Sequence, residues 1–277
     1  MDVIHSVAEL RARLAREPNN VFVPTMGNLH EGHIQLVDSA KPRGACTVVS
    51  IFVNRMQFGP KEDFDKYPRT FMNDCDKLKA AGCNVVFAPE EKEIYPEPQT
   101  YAVEPPEIAH ILDGAVRPGH FRGVATVVLK LFNMVQPKAA IFGKKDYQQC
   151  IVLRNMVRQL ALPIDIILAE TVRAQDGLAL SSRNGYLSAS ERKEAPQLYQ
   201  ALTRARDEIV AGKRDYQRIE LEAMAHLATR GWKPDYIAIR RQSDLQAPDA
   251  HGRDLVIVAT ARLGVTRLID NLELVIR

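Results

Sequence analysis

Up to Thr171, short apolar runs alternate with longer stretches whose apolar positions recur at helical spacing. The runs Asn20 to Pro24, Cys46 to Val53, Asn84 to Ala88, Ala139 to Phe142 and Ile164 to Ala169 are apolar on both faces, which predicts covered strands of a parallel sheet. Helices are expected between them. One starts after His33 at Ile34-Gln35-Leu36-Val37, one runs from Phe71 to Ala81 and stops at Gly82, one from Gly123 to Val135 stops before Pro137, and one from Tyr147 to Leu160 stops before Pro163. Strand and helix alternating in this way predict an α/β fold with a Rossmann-like doubly wound parallel sheet.

From Ser188 the texture changes. Ser190-Glu191-Arg192-Lys193-Glu194 reads as a helix N-terminus, and two amphipathic helices ending near Gly212 and Gly231 are expected after it. Three strand-like runs follow, Asp235 to Arg240, Leu255 to Arg262 and Leu268 to Leu274, separated by polar turn residues. The expected organisation is a Rossmann-like domain over residues 1–171 and a smaller C-terminal α+β domain over residues 172–277. No repeat of fixed period is visible, and Tyr95-Pro96-Glu97-Pro98 reads as a surface loop.

Composition excludes several classes. With 46% hydrophobic and 26% charged residues among 277, and its 15 glycines and 16 prolines scattered, the chain has the make-up of a globular protein rather than a disordered or collagenous one. The longest nearly apolar stretch, Val124 to Val135, is interrupted by Lys130 and Asn133, so no membrane span is expected. Met1-Asp2-Val3-Ile4-His5 leads quickly to Arg11, Arg13 and Arg16 without an apolar leader, which makes a cytoplasmic protein the expectation. Cys46, Cys75, Cys83 and Cys150 form no C-x-x-C pair and are expected to be reduced and mostly buried. A formal net charge of +3 is too small to argue for nucleic acid as a partner.

The densest chemistry lies in Pro24-Thr25-Met26-Gly27-Asn28-Leu29-His30-Glu31-Gly32-His33, between the first expected strand and its helix. Open parallel sheets bind ligands at the carboxyl ends of their strands, where a helix start offers unpaired N–H groups and a positive dipole end to phosphate. Two imidazoles three residues apart are suited to donate hydrogen bonds to a phosphoryl oxygen as its charge grows. A zinc site is the weaker reading, because the spacing is three rather than the four of H-E-x-x-H and no third ligand is signalled. Helix capping alone explains one histidine but not two with two glycines.

This stretch resembles the H-x-G-H signature of the nucleotidylyltransferase superfamily and, in its longer form, the pantothenate synthetase family. Other motifs carry the resemblance in the same order: Ser50-Ile51-Phe52-Val53-Asn54 with Gln57-Phe58-Gly59, Tyr67-Pro68-Arg69-Thr70, Arg117-Pro118-Gly119-His120-Phe121-Arg122-Gly123, Gly143-Lys144-Lys145-Asp146-Tyr147-Gln148-Gln149, and Leu180-Ser181-Ser182-Arg183-Asn184. It runs from about Val21 to Leu187, and the part after Ser188 adds little. Asn28 stands where the family usually has Ala, Arg55 where it has Pro, Lys144 where Glu is common and Gly185 where a basic residue is common. None of these removes a key side chain; Arg55 touches the conformation of a substrate loop, and Lys144 adds positive charge beside the expected phosphates.

The resemblance implies a ligase that joins D-pantoate to β-alanine, using ATP and Mg²⁺ and releasing AMP and pyrophosphate through a pantoyl adenylate. It implies His33 as proton donor, His30 as a phosphate contact, and Lys145, Ser181, Ser182 and Arg183 as holders of the phosphates, with His33, His30, Lys145 and Arg183 the catalytic set. ATP is expected along Met26, Gly27, Asn28, Leu29, His30, Glu31, Gly32 and His33, along Gly143, Lys144, Lys145 and Asp146, beside Val172 near adenine, and along Leu180, Ser181, Ser182 and Arg183. Gln57, Gln149 and Asn54 are the substrate candidates, Gln57 also near the β-alanine position; alone, each reads equally as a surface amide or strand-end cap.

Asp146 stays open among orienting Lys145, capping the next helix and approaching Mg²⁺ through water. His120 and Arg122 stay open between binding phosphate in a glycine-rich loop and forming a turn into the next helix. Direct metal ligands are not indicated. The C-terminal domain is expected to close over the ATP site, and the family resemblance implies a homodimer. Two rivals remain: another adenylyl-transfer enzyme of the superfamily, and a nucleotide- or RNA-binding module that has lost catalysis.

Overall fold

The computed structural model describes residues 1–60, 62–249 and 252–276. The backbone divides into two compact units, one comprising Met1–Lys144 and Val152–Glu170, the other Lys145–Ile151 and Thr171–Arg277. The short insertion Lys145–Ile151 thus clusters with the C-terminal unit although its neighbours on both sides in the chain belong to the first.

The elements in chain order are β1 (Asp2–Ile4), α1 (Val7–Leu14), β2 (Asn20–Thr25), α2 (Glu31–Ala40), β3 (Cys46–Ile51), α3 (Phe71–Ala80), β4 (Val85–Phe87), α4 (Glu91–Ile94), α5 (Asp113–Val116), α6 (His120–Val135), β5 (Ala139–Gly143), α7 (Tyr147–Gln159) and β6 (Asp165–Ala169). There follow α8 (Ala189–Glu194), α9 (Gln197–Val210), α10 (Tyr216–Thr229), β7 (Lys233–Arg241), β8 (Asp254–Leu263) and β9 (Thr266–Val275).

In the first unit, six parallel strands lie in the order β1-β4-β3-β2-β5-β6. The continuous apolar runs of β2, β3 and β4 are buried along their length because helices cover both faces, as their lack of alternation predicts. Val21, Val23, Val49, Val86 and Ile141 from the strands meet Leu36, Val37 and Leu78 from α2 and α3 in one apolar cluster.

The chain winds from β2 outward on one side and returns on the other at β5, so the sheet switches direction between these two strands. Open α/β sheets bind their ligands at such a point, outside the carboxyl ends of the strands. The registers here favour a crevice: β2 pairs with β3 along all six residues but with β5 only at Val21 and Phe22. Pro24, which has no N–H to give, falls beyond the β5 pairing.

The second unit holds three antiparallel strands, β7-β8-β9 in order, packed against α9 and α10. Leu198, Leu202, Ile209, Leu227 and Trp232 form its core with Ile237, Ile257 and Leu274.

All eight expected strands and every expected helix are present, with ends shifted by a few residues. Four of the helices and strands were not signalled: β1, three residues long, α1, capped by Ser6 accepting from Glu9 N–H, and the four-residue helices α4 and α5. The helix expected from Gly123 starts earlier, at His120, so His120 and Arg122 lie in its first turn rather than in a loop. Gly119 in the left-handed conformation (φ 81°) lets the chain enter α6 there. Among the described residues the cysteines are free, with Cys46, Cys83 and Cys150 buried and Cys75 partly so. No helix of the described residues is long and apolar enough to cross a membrane.

Candidate functional site

The site residues fall into two sets. Met26 to His33, Asn54, Gln57, Gly143 and Lys144 belong to the first unit; Lys145, Asp146, Gln149, Val172, Leu180, Ser181, Ser182 and Arg183 belong to the second.

The loop after β2 is built for backbone presentation. Gly27 has a positive φ of 80°, and a Cβ there would stand 3.0 Å from Ile51 Cγ2 and 3.1 Å from Asp74 Oδ2. Asn28 follows with φ 50°, a left-handed conformation that Asn tolerates better than Ala, which gives a local reason for its presence. Leu29 buries its side chain, so only its backbone can face a ligand.

Two side chains of α3 hold this loop. The carboxylate of Asp74, itself buried, accepts from Asn28 N–H at 2.9 Å, Leu29 N–H at 2.8 Å and Thr70 Oγ1 at 3.1 Å. Lys77 Nζ donates to Leu29 O at 2.5 Å. Neither residue was singled out by sequence. The available signal was an acid on the inward stripe of an amphipathic helix, one turn before Leu78, where an unpaired charge would be costly.

The two histidines open α2 as a reciprocal cap. His30 Nδ1 accepts from Gly32 N–H at 3.1 Å, and His33 Nδ1 accepts from His30 N–H at 3.3 Å, with ring centroids 4.1 Å apart. A nitrogen that accepts carries no proton, so in each neutral ring the proton sits on Nε2. The cap therefore fixes the tautomer, turning two imidazoles into Nε2–H donors at a helix N-terminus. Capping and phosphate recognition, posed by sequence as rival readings, are compatible because they use opposite nitrogens of the same rings.

Gln57 lies in a single 3-10 turn, Arg55–Gln57, after β3. Its Nε2 donates to Met26 Sδ at 3.2 Å and its Oε1 accepts from Asn54 Nδ2 at 3.1 Å. Asn54 is buried and fully engaged: Nδ2 also donates to Gly123 O, and Oδ1 accepts from Tyr95 Oη and Met56 N–H. Burial pushes the Tyr95 hydroxyl above its ordinary pKa, with the Glu91 charge adding to this, so it remains a donor to Asn54. An amide with every position taken orients its neighbour rather than binding a ligand.

The backbone of Gln57 is held just as firmly. Its carbonyl accepts from His120 Nδ1 at 2.8 Å and Arg117 NH2 at 3.3 Å. Arg117 NH1 lies 2.9 Å from His120 Nε2 and can only donate, so Nε2 accepts and Nδ1 bears the proton. Burial, with the neighbouring Arg117 charge, lowers the His120 pKa to about 4. Glu62 completes the cluster by receiving Arg117 at 2.6 and 2.7 Å; burial works to raise its pKa, but the guanidinium holds it below the usual carboxylate range. Gly123 lets α6 close on this turn, since a Cβ there would run into Met56 O.

Lys144 pairs with Glu170 at 2.6 Å, so the positive charge it adds is met within the first unit. Arg55 lies over the Phe64 ring at 3.9 Å, which accommodates it in the Arg55–Gln57 turn. Among the described residues, nothing would lie within 4 Å of a Cβ at Gly185.

In the second unit, Ser181 Oγ caps the 3-10 turn Ser182–Tyr186 by accepting from Arg183 N–H at 3.3 Å. Leu180 N–H donates to Val172 O at 2.9 Å, placing the expected adenine neighbour beside the residue that leads into Ser181 to Arg183. Asp146 is exposed, and Gln149 is part-buried in the first turn of α7.

Among the described residues no group of three or more His, Cys, Asp or Glu is placed to hold a metal ion.

Residues 2–273 match the family model described as pantoate-beta-alanine ligase. A pantothenate synthetase structure from Thermus thermophilus is 45% identical over 98% of this chain and 99% of its own, with a TM-score of 0.92. The pantoate-beta-alanine ligase from Francisella tularensis, complexed with beta-gamma ATP and beta-alanine, is 33% identical over 98% of this chain and 97% of its own, with a TM-score of 0.83. With the family matched over nearly its whole length and these two folds superposing on it end to end, the chain belongs to the pantoate–β-alanine ligase family.

Proposed function

We propose that this chain carries out its family's reaction with a definite division of roles among its residues. It is a ligase that joins pantoate and β-alanine to give pantothenate, with ATP converted to AMP and pyrophosphate. A carboxylate is a poor electrophile, and adenylation turns it into an acyl phosphate that an amine can attack. The pantoate carboxylate attacks the α-phosphorus, pyrophosphate leaves, and the β-alanine amine then displaces AMP from the adenylate.

The observation that carries the assignment of roles is the His30–His33 cap at the switch point of the sheet. As the α-phosphate gains charge, His33 and His30 present Nε2–H groups toward it at the positive end of α2. In the second unit, Lys145 and the Ser181 to Arg183 turn hold the phosphates, and Val172 lies along the adenine. Gln57 takes pantoate through its amide, held by Asn54 and Met26, and Gln149 is a second pantoate contact. Mg²⁺, when bound, would neutralise the triphosphate and favour pyrophosphate departure, and Asp146 has a structural role in the nucleotide site. A homodimer, which rests on the family resemblance, and a cytoplasmic setting are part of the proposal.

The test is AMP release by purified protein given ATP, Mg²⁺ and D-pantoate, with and without β-alanine, the product identified by mass spectrometry. Pantothenate formed only when all components are present is the expected result. Pyrophosphate release with a different carboxylic acid would overturn the choice of substrate.

A further inference from the structure

Lys145 lies two residues after the end of β5, yet its backbone is held by β9. Asn271, buried on β9, donates from Nδ2 to Lys145 O at 3.0 Å. Two residues further along β9, Glu273 accepts from Tyr147 Oη at 2.8 Å. The same point of β9 also holds Arg173, at the start of the turn that leads to Ser181–Arg183. Arg173 makes a two-pronged ion pair with buried Asp270 at 2.7 and 2.8 Å, donates to Asn271 O at 3.1 Å and reaches Gly177 O at 3.1 Å. Arg173 is further fixed by lying over the Tyr199 ring at 3.8 Å. The Asp270 carboxylate accepts from Asn271 N–H at 2.7 Å, which fixes the Asn271 backbone beside the ion pair, and the Lys145 ammonium is near enough to act on that carboxylate.

We infer that Asn271 is a positioning residue for Lys145, and that β9, through Asn271 and the Asp270–Arg173 pair, sets the placement of both segments that handle the ATP phosphates. The inference rests on the proposed role of Lys145. Its basis is where three polar side chains of β9 go: the buried Asp270 and Asn271 and the part-buried Glu273 are spent on Arg173, Lys145 and Tyr147, none of which is on a neighbouring strand. A strand whose sole task was to close a three-stranded sheet would have no use for buried polar groups at these positions, which cost stability unless paired.

Positioning of Lys145 has a consequence that general stabilisation lacks. Lys145 acts while the triphosphate is present and has no task once pyrophosphate has left. Asn271→Ala should therefore slow pantoyl-adenylate formation about tenfold, the equivalent of one hydrogen bond, with a raised KM for ATP. Attack of β-alanine on pre-formed adenylate should change by less than roughly twofold on the same grounds. Tyr147→Phe, which removes only the second tether and keeps the ring, should give a smaller loss, roughly threefold, in the same half-reaction. Leu274→Ala is the control: it opens a cavity in the second unit's core without touching the tether, lowers the melting temperature, and should leave both half-reactions unchanged below it.

A folded Asn271→Ala with normal adenylation, or with both half-reactions falling together, would overturn the inference. Tyr147→Phe decides it in the same way if Asn271→Ala does not fold. Hydrogen exchange separates this inference from the functional reading. If the unaltered chain makes no pantoyl adenylate, the assigned reaction fails, while faster exchange over residues 145–151 in Asn271→Ala would still support the tether and unchanged exchange would overturn it.

Discussion

The carboxylate of Asp74 accepts the backbone N–H of Leu29 at 2.8 Å, across 45 positions of sequence, and its other oxygen takes that of Asn28 at 2.9 Å. An acid on α3 thus holds the left-handed turn that delivers the two histidines to the start of α2. Asp74→Asn keeps the shape but turns an NH₂ group toward one of those N–H donors. It should cost about 1–3 kcal/mol in urea unfolding, because a buried donor loses its partner. It should also lower kcat/KM by roughly tenfold to a hundredfold, since a shift of the loop displaces both imidazoles. Wild-type kinetics in a folded Asp74→Asn protein would show that the loop holds its shape without this bond.

His33→Ala removes an Nε2–H donor and one half of the cap. Adenylate formation should fall by roughly a hundredfold to a thousandfold, the usual cost of losing one donor to a developing oxyanion. The cap loss should cost only about 0.5–2 kcal/mol, so circular dichroism should remain native. Single-turnover formation of pantoyl adenylate separates the two effects. A variant that folds normally and turns over at the normal rate would remove His33 from the proposed chemistry.

The strand and helix pattern was legible because β2, β3 and β5 are apolar on both faces and α6 and α9 carry continuous inward stripes, which are local properties of the chain. β1 was missed because three residues, with only Ile4 buried, give no periodicity to read. Residues of the candidate site were legible where they cluster in motifs, as from Met26 to His33. Those that hold them were not: Asp74, Lys77, Glu62 and Asn271 act on partners tens of residues away, and side chains at such separations carry no local signature. The histidines show the remaining limit, since only the three-dimensional cap reveals which ring nitrogen accepts from the backbone and which carries the proton.

Gly123 sits where α6 meets the Gln57 turn, and a Cβ there would strike Met56 O and stand 2.7 Å from Gln57 N. Backbone cannot yield as a flexible side chain does, so Gly123→Ala must push the helix and the turn apart. The expected cost is about 1–3 kcal/mol. Separation would also loosen the Asn54 to Gly123 O bond and the His120 to Gln57 O bond, so KM for pantoate should rise more than KM for ATP. Equal changes in both constants would argue that the packing serves stability alone.

His120 gives the pH dependence. Its ordinary pKa of 6.5 falls to about 4 in the fold through burial and the Arg117 charge, against the opposing pull of Glu62 and Asp113. Between those values the unfolded chain binds a proton that the folded chain refuses, so this group removes stability as pH falls from 6.5 toward about 4 and contributes nothing above 6.5. The loss across that window should be on the order of 2–3 kcal/mol. Glu62, held below its ordinary value of 4.5, begins to lose its contribution as pH falls through 4.5, so it adds to the loss only at the acid end of the His120 window. Urea midpoints measured at the ends of the His120 window should differ in the unaltered chain and converge in His120→Asn, whose amide can still donate to Gln57 O but does not titrate. An equal drop in both proteins would place the acid sensitivity elsewhere. If the His120 bond holds the substrate turn, KM for pantoate should rise over the same interval in the unaltered chain and stay level in the variant.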